Sequence, residues 1–288
     1  MDIPESTLKN LRRIGQGLNM MARWSPQMAG RTAFRLFSSP RRRPLSEQDK
    51  DFLLAARQDT MLVNKIPVSN YLWQPSGAPN GRTVLLLHGW ESHSARWRSY
   101  VQALRKAGFS VGALDAPASG FSGGKMLNLL VFSQVVKQYV EERGTPYAMI
   151  GHSLGGGAAV ISTALMGAPR PEKMILLAVF AESKRIIGDF GRIIGANEKV
   201  LEYVDREVER RSGMPMDDFS VTRQVKLLTD VQGLVLHDRD DSVAPVAEGR
   251  LVAELWPGAR YSETTGLGHR MQHASVVKMV KDFLGNEG

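Results

Sequence analysis

From about residue 60 the chain alternates short β-branched and aliphatic runs with stretches of helical period. Segments 61–64 and 67–73 read as antiparallel strands. Strands at 83–88, 109–115, 147–150, 173–179, 231–237 and 260–264 then alternate with helices at about 95–107, 127–142, 155–166 and 246–254, and a last helix runs to Phe283. Repeated strand–helix units close through right-handed crossovers, which predicts an α/β fold with a mostly parallel sheet and helices on both faces. One stretch interrupts the alternation. Residues 182–222 are rich in charge, helical in period and without a strand candidate, so they read as a small helical cap inserted between two strands.

Before residue 60 the pattern is different. Ile3, Leu8, Leu11, Ile14, Leu18 and Met21 fall three to five apart on one helical face, with Lys9, Arg12 and Arg13 off it. Phe34, Leu36 and Phe37 follow, then Ser38-Ser39-Pro40 and the triplet Arg41-Arg42-Arg43. Ser46 and Asp49 have the spacing of a capping box that opens a helix through Arg57. Three uses fit this arm of residues 1–59: helices docked on the main domain, a basic amphipathic anchor giving weak peripheral contact with anionic membrane, or a cleaved transit peptide. Asp2 and Glu5 count against the last.

Charge narrows the class. The 288 residues carry a net +8, but residues 1–43 hold nine basic groups against two acidic ones, and the remainder is almost balanced. A nucleic-acid enzyme would carry its basic stripe across the working surface, so no nucleic-acid partner is expected. The chain has no cysteine, which excludes a disulfide framework, a thiolate nucleophile and a Cys-ligated metal. No apolar run approaches the ~18 residues of a membrane span, and no secretory signal opens the chain; a cytoplasmic protein, at most peripheral to a membrane, is expected.

The chemistry lies in a serine motif that occurs twice. Gly151-His152-Ser153-Leu154-Gly155 and Gly120-Phe121-Ser122-Gly123-Gly124 both fit G-x-S-x-G. A nucleophile elbow must follow a buried strand and run straight into a helix, because that turn lifts the hydroxyl off the sheet. Ser153 has this context: Tyr147 to Ile150 precede it and small helix-compatible residues follow. Ser122 has a loop on its N-terminal side and reads as loop.

A serine hydroxyl needs a general base and a carboxylate to orient it, following in the order Ser, acid, His. His269, in Thr265-Gly266-Leu267-Gly268-His269 between the last strand and the last helix, occupies the expected slot, with His273 in reserve. For the acid, His237-Asp238-Arg239-Asp240-Asp241-Ser242-Val243-Ala244-Pro245 offers three aspartates. Asp241, four before Pro245, is the choice; Asp238 reads as a turn cap. One histidine beside adjacent carboxylates, with no second ligand cluster, does not make a metal site. No dinucleotide or P-loop motif fits, so no cofactor is expected.

Together these residues resemble the α/β-hydrolase superfamily over about residues 60–288: His88-Gly89-Trp90 after the third strand, Asp115-Ala116-Pro117-Ala118-Ser119-Gly120-Phe121-Ser122 after the fourth, the elbow, Asp241 to Pro245, and Gly268-His269. The resemblance implies that fold, and an oxyanion hole made by the backbone N–H groups of Trp90 and Leu154. Ala118-Ser119-Gly120 stands where relatives usually have Gly-His-Gly, so a customary structural histidine is missing. The expected function is a serine esterase or lipase acting on a small-molecule ester through an acyl-enzyme. Phe180, Ile186, Ile187, Phe190, Ile193 and Ile194 are candidates to line an acyl site or simply to pack the cap. An acyltransferase, an amide or carbon–carbon bond hydrolase, and a non-catalytic binding module remain as alternatives on the same scaffold.

Overall fold

The computed structural model describes residues 5–285. Ile3, the first position of the expected amphipathic stripe, lies outside the described residues. The strands are β1 (Arg57–Val63), β2 (Ile66–Trp73), β3 (Thr83–Leu87), β4 (Ser110–Leu114), β5 (Ala148–His152), β6 (Lys173–Leu177), β7 (Gln232–Asp238) and β8 (Arg260–Thr264). They form one sheet in the order β1-β2-β4-β3-β5-β6-β7-β8, in which β2 runs antiparallel to both neighbours, β1 and β4, and the strands from β4 to β8 are mutually parallel.

Eleven helices accompany them among the described residues. The first three, α1 (Glu5–Trp24), α2 (Pro26–Phe37) and α3 (Glu47–Leu54), precede the sheet. Next come α4 (Arg98–Lys106), α5 (Leu129–Arg143) and α6 (Leu154–Val160). Between β6 and β7 stand α7 (Ser183–Ile194), α8 (Glu198–Ser212) and α9 (Val221–Val225), and α10 (Val246–Leu255) and α11 (Ala274–Gly285) close the chain.

The capping box at Ser46 is present, with Asp49 N–H donating to Ser46 Oγ at 3.2 Å, but its helix stops at Leu54 rather than Arg57. Arg57 is already in β1, which also begins before the expected Met61. Asn64 and Lys65, at φ 49° and 68°, make the two-residue turn that pairs Val63 with Ile66 and extends the ladder back to Arg57. The helix expected over 155–166 stays α-helical only to Val160 and widens into a π turn at Ile161–Leu165; nothing in the structure explains that turn.

Successive residues of the central strands point to opposite faces. Leu85, Leu87, Met149, Met174 and Leu176 pack on one side with Phe132, Val136 and Val160, from α5 and α6. Val84, Leu86, Ala148, Ile150 and Ile175 pack on the other with Tyr100 and Leu104 of α4 and Val280 and Leu284 of α11. Burial on both faces explains why these strands read as continuous apolar runs.

The arm forms a third cluster. Leu18, Ala22, Ala29, Ala33 and Phe34 are buried against Ile187, Ile194, Val200, Val204 and Met216. A Cβ on Gly15 would collide with the carbonyl oxygen of Ile194, so glycine is what lets α1 approach α7 this closely. Three of the six candidate acyl-site residues are buried by packing: Ile187 and Ile194 lie under the arm, and Phe180 is in the main core.

Glu207 of α8 is held in the arm–cap joint. Its carboxylate accepts from Arg210 and Arg211 at 2.7–2.8 Å and lies 3.8 Å from Arg31 of α2. The hydrogen bond from Arg210, against the penalty of burial, brings its pKa down from 4.5 to about 2. A depressed carboxylate pKa adds stability above its unfolded value, and that stability is lost as pH falls toward the folded value. Glu207→Gln should therefore lower the melting temperature at pH 7. By pH about 2.5 most of that difference from the parent should be gone, since the parent carboxylate is itself protonating. Equal offsets at both pH values would show that the charge does not stabilise the joint.

Candidate active site

The elbow follows directly on β5 and holds its serine in a strained conformation. Ser153 caps α6 at φ 51°, ψ −117°, a region that costs a non-glycine residue about 1–3 kcal/mol and that surrounding structure must enforce. Two contacts enforce it. Ser153 N–H donates to Leu177 O of β6 at 2.9 Å, and α6 presses so closely on β3 that a side chain at Gly155 would collide with Leu87 O. Leu154 N–H follows as the first of the helix, where no intrahelical acceptor exists.

Asp241 and His269 come together beside this turn from the loops after β7 and β8. His269 Nδ1–H donates to Asp241 Oδ2 at 2.8 Å, which leaves Nε2 free to take a proton. Asp241 Oδ1 accepts from the N–H groups of Val243 and Ala244 at 2.8 and 2.9 Å. Burial raises the Asp241 pKa, but hydrogen bonds from His237 and His269 outweigh it and hold the carboxyl well below the usual range. The aspartate is therefore a carboxylate at neutral pH. Among the described residues no hydrogen bond joins Ser153 to His269; contacts between a nucleophile and its base often tighten only in the substrate complex.

The loop that carries His269 is tied down residue by residue. His152 Nε2–H donates to His269 O at 2.7 Å, Arg96 Nη2 to Arg270 O at 2.7 Å, and Tyr100 OH to Met271 O at 2.5 Å. Burial is the main reason the His152 pKa lies well below its usual value, so the ring stands neutral beside His269. Asp238 does more than cap its own turn. Its Oδ1 accepts from Asp240 N–H and Gly268 N–H at 3.0 Å, and its Oδ2 from Thr264 OH at 2.6 Å and Leu267 N–H at 3.1 Å. One buried carboxylate thus joins the acid loop to the histidine loop.

Sequence reasoning passed over His152, His237, Arg96 and Tyr100. The available signal was His237, which ends its strand four residues before Asp241; its Nε2 lies 3.2 Å from Asp241 Oδ2 and 2.8 Å from Ala244 O. The other three act on backbone carbonyls of a distant loop, which no local motif encodes.

The remaining candidates are placed elsewhere. His273 is exposed, 2.9 Å from Ser275 Oγ at the start of α11. Asp240 is exposed and accepts from Gly266 N–H at 2.7 Å. Ser122 is buried, donating to Asp115 O at 2.6 Å and accepting from Ser69 N–H at 2.9 Å. The missing loop histidine has a local substitute: Asp115 accepts from Ser94 N–H, Phe121 N–H and Tyr71 OH and so binds this loop to its neighbours.

Trp90 follows β3 in a loop shaped by His88, whose Nδ1–H donates to Gly89 O at 2.8 Å and whose Nε2 accepts from Ala116 N–H at 2.9 Å. Burial pushes the His88 pKa down to about 4. The arm reaches this loop as well. Phe37, ending α2, stacks on Trp90 at 6.3 Å between centroids and meets Phe190 of α7 edge-on at 5.3 Å. Arg41 pairs with Glu91 through Nε and Nη2 at 3.1 Å, and Arg42 donates to Gly120 O and Ser122 O at 2.6 Å.

Residues 78–224 match the family described as serine aminopeptidase, S33. The chain belongs to that family. It is a serine hydrolase of the esterase and lipase kind. Similar proteins include the monoacylglycerol lipase of Mycolicibacterium smegmatis, 26% identical over 224 residues that span 64% of this chain and 78% of the relative. The human monoglyceride lipase is 30% identical over 137 residues, 44% of this chain and 43% of the relative. Among solved structures, an esterase from Exiguobacterium antarcticum superposes with a TM-score of 0.62 over 80% of this chain and all of its own, at 14% identity. These likenesses agree with the α/β-hydrolase fold. No described helix is long and apolar enough to cross a membrane.

Proposed function

We propose that Ser153, His269 and Asp241 form a catalytic triad that hydrolyses a small ester carrying an apolar acyl chain. The observation that carries this reading is the 2.8 Å contact from His269 Nδ1 to the buried Asp241 beside the strained Ser153 turn. His269 Nε2 takes the Ser153 proton as Oγ attacks the ester carbonyl. The oxyanion is met by the N–H groups of Trp90 and Leu154. Collapse expels the alcohol, which takes its proton from His269, and leaves an acyl-serine. Water, deprotonated by the same imidazole, then releases the acid and restores Ser153. On this reading residues 1–59 are a basic helical arm, 60–288 the hydrolase domain and 182–222 its cap, with Phe37 of the arm at the entrance to the site.

Phe37, Trp90 and Phe190 make an aromatic side to that entrance, suited to an alkyl chain such as those implied by the names of the lipase relatives. A panel of p-nitrophenyl esters of increasing acyl length tests the substrate class. Phe37→Ala should raise KM for the longer chains by about fivefold or more with kcat nearly kept, while the acetate ester is little affected. A uniform change across the panel would remove Phe37 from the acyl wall.

A further inference from the structure

The arm buries one face against the cap and presents another to solvent, and the exposed face has a composition of its own. Met20 is 66% exposed, Trp24 89% and Met28 57%, with Ile14 at 43%. Met20 and Trp24 stand one turn apart at the end of α1, Met28 lies in the first turn of α2, and Ile14 stands further back along α1. Arg12, Arg13 and Arg23 of α1 and Arg35 of α2 are exposed as well. No aspartate or glutamate occurs from residue 6 through residue 46. Of the apolar stripe read from the sequence, Leu11, Leu18 and Met21 are spent on the cluster shared with α7 and α8, whereas Ile14 stays exposed. A second apolar row remains.

We infer that this corner, where α1 ends and α2 begins, is a docking surface for an anionic lipid bilayer. A large indole left in water is unfavourable, and tryptophan is enriched at the headgroup level of membranes because its body is apolar and its N–H polar. The arginines add charge of one sign, each worth about 1 kcal/mol near an anionic leaflet, or roughly a fivefold change in partitioning. A second copy of the chain fits poorly, because a self-complementary contact here would set the arginines of α1 and α2 against their own copies. A nucleic acid would account for the arginines but not for Met20, Trp24 and Met28. The inference goes beyond ester hydrolysis and does not depend on the assignment of Ser153.

The test uses the full-length protein and vesicles of phosphatidylglycerol with phosphatidylcholine, compared with phosphatidylcholine alone. Co-sedimentation should occur with the anionic vesicles at about 50 mM salt and be lost at about 500 mM, where the screening length shrinks to a few ångströms. W24E/M28Q should weaken partitioning at least about tenfold, and R12Q/R13Q/R23Q on the order of a hundredfold. Both variants change exposed positions, so melting temperature and hydrolysis of a soluble short-chain ester should match the parent. Ser153→Ala should bind vesicles as the parent does. The inference is overturned if the parent ignores anionic vesicles at low salt, or if W24E/M28Q binds them undiminished. It also falls if the corner instead proves to hold a second copy, seen as a dimer that W24E/M28Q abolishes, or a nucleic-acid duplex in place of vesicles.

Discussion

Ser153→Ala should fold normally and lose at least about 10³ in kcat toward p-nitrophenyl esters, because the proton-transfer pair is left without a nucleophile. Folding is expected to survive because the turn at φ 51° is enforced by backbone contacts, from Ser153 N–H to Leu177 O and from α6 against β3, none of which uses the hydroxyl. Removing the strain-bearing side chain's oxygen does not remove the strain. Ser122→Ala is the matched control. That serine shares the motif but spends its hydroxyl on Asp115 O and Ser69 N–H, so its loss should cost about 1 kcal/mol of stability and little activity. His269→Ala should be as inactive as Ser153→Ala, whereas His273→Ala should resemble the parent. A fluorophosphonate should label Ser153 alone. Labelling at another serine, or an active Ser153→Ala enzyme, would overturn the assignment.

The contrast between the two serines shows what a sequence can carry. Their motifs are identical as patterns, and only the buried run before Ser153 and the small residues after it separate them. Strand and helix order were legible for the same reason: central strands buried on both faces leave continuous apolar runs, and the helices between them keep a 3.6-residue period. The limits appear where structure depends on distant partners. The extra length of β1 comes from an Asn64-Lys65 turn whose strand is largely polar, with Arg57 to Thr60 exposed. The arm's periodicity showed an apolar face but not its partner, because the partner lies about 170 residues away in Ile187 and Ile194. Nor could any motif show that the carbonyls of His269, Arg270 and Met271 would each be taken by a side chain from a distant part of the chain.

Asp241→Asn should cost on the order of 10⁴ in kcat and lower the melting temperature at pH 7, because a buried carboxyl held well below its usual range stabilises the fold in its charged form. An amide at this position can keep accepting from Val243 and Ala244 N–H through its oxygen, which turns its NH₂ toward His269 Nδ1. The imidazole must then accept there and carry its proton on Nε2, the wrong tautomer for a base. Asp240→Asn should stay within about tenfold, since that side chain is exposed and only caps Gly266 N–H. Asp238→Asn falls between them, although the sequence offers it as a mere turn cap. Its two oxygens face three backbone N–H donors and Thr264 OH, and an amide must turn its NH₂ toward at least one of those donors. An unsatisfied buried donor costs about 1–3 kcal/mol, and here the cost is borne by Leu267 and Gly268 immediately before His269. The expected result is a lower melting temperature with a loss of about 10–10² in kcat, KM being nearly unchanged because the acyl wall is elsewhere. The two aspartates are thus separable by the size of the loss in kcat, on the order of 10⁴ for Asp241→Asn against about 10–10² for Asp238→Asn. If Asp238→Asn proves as inactive as Asp241→Asn at full stability, the imidazole's partner has been misassigned, and Asp238 rather than Asp241 orients the base.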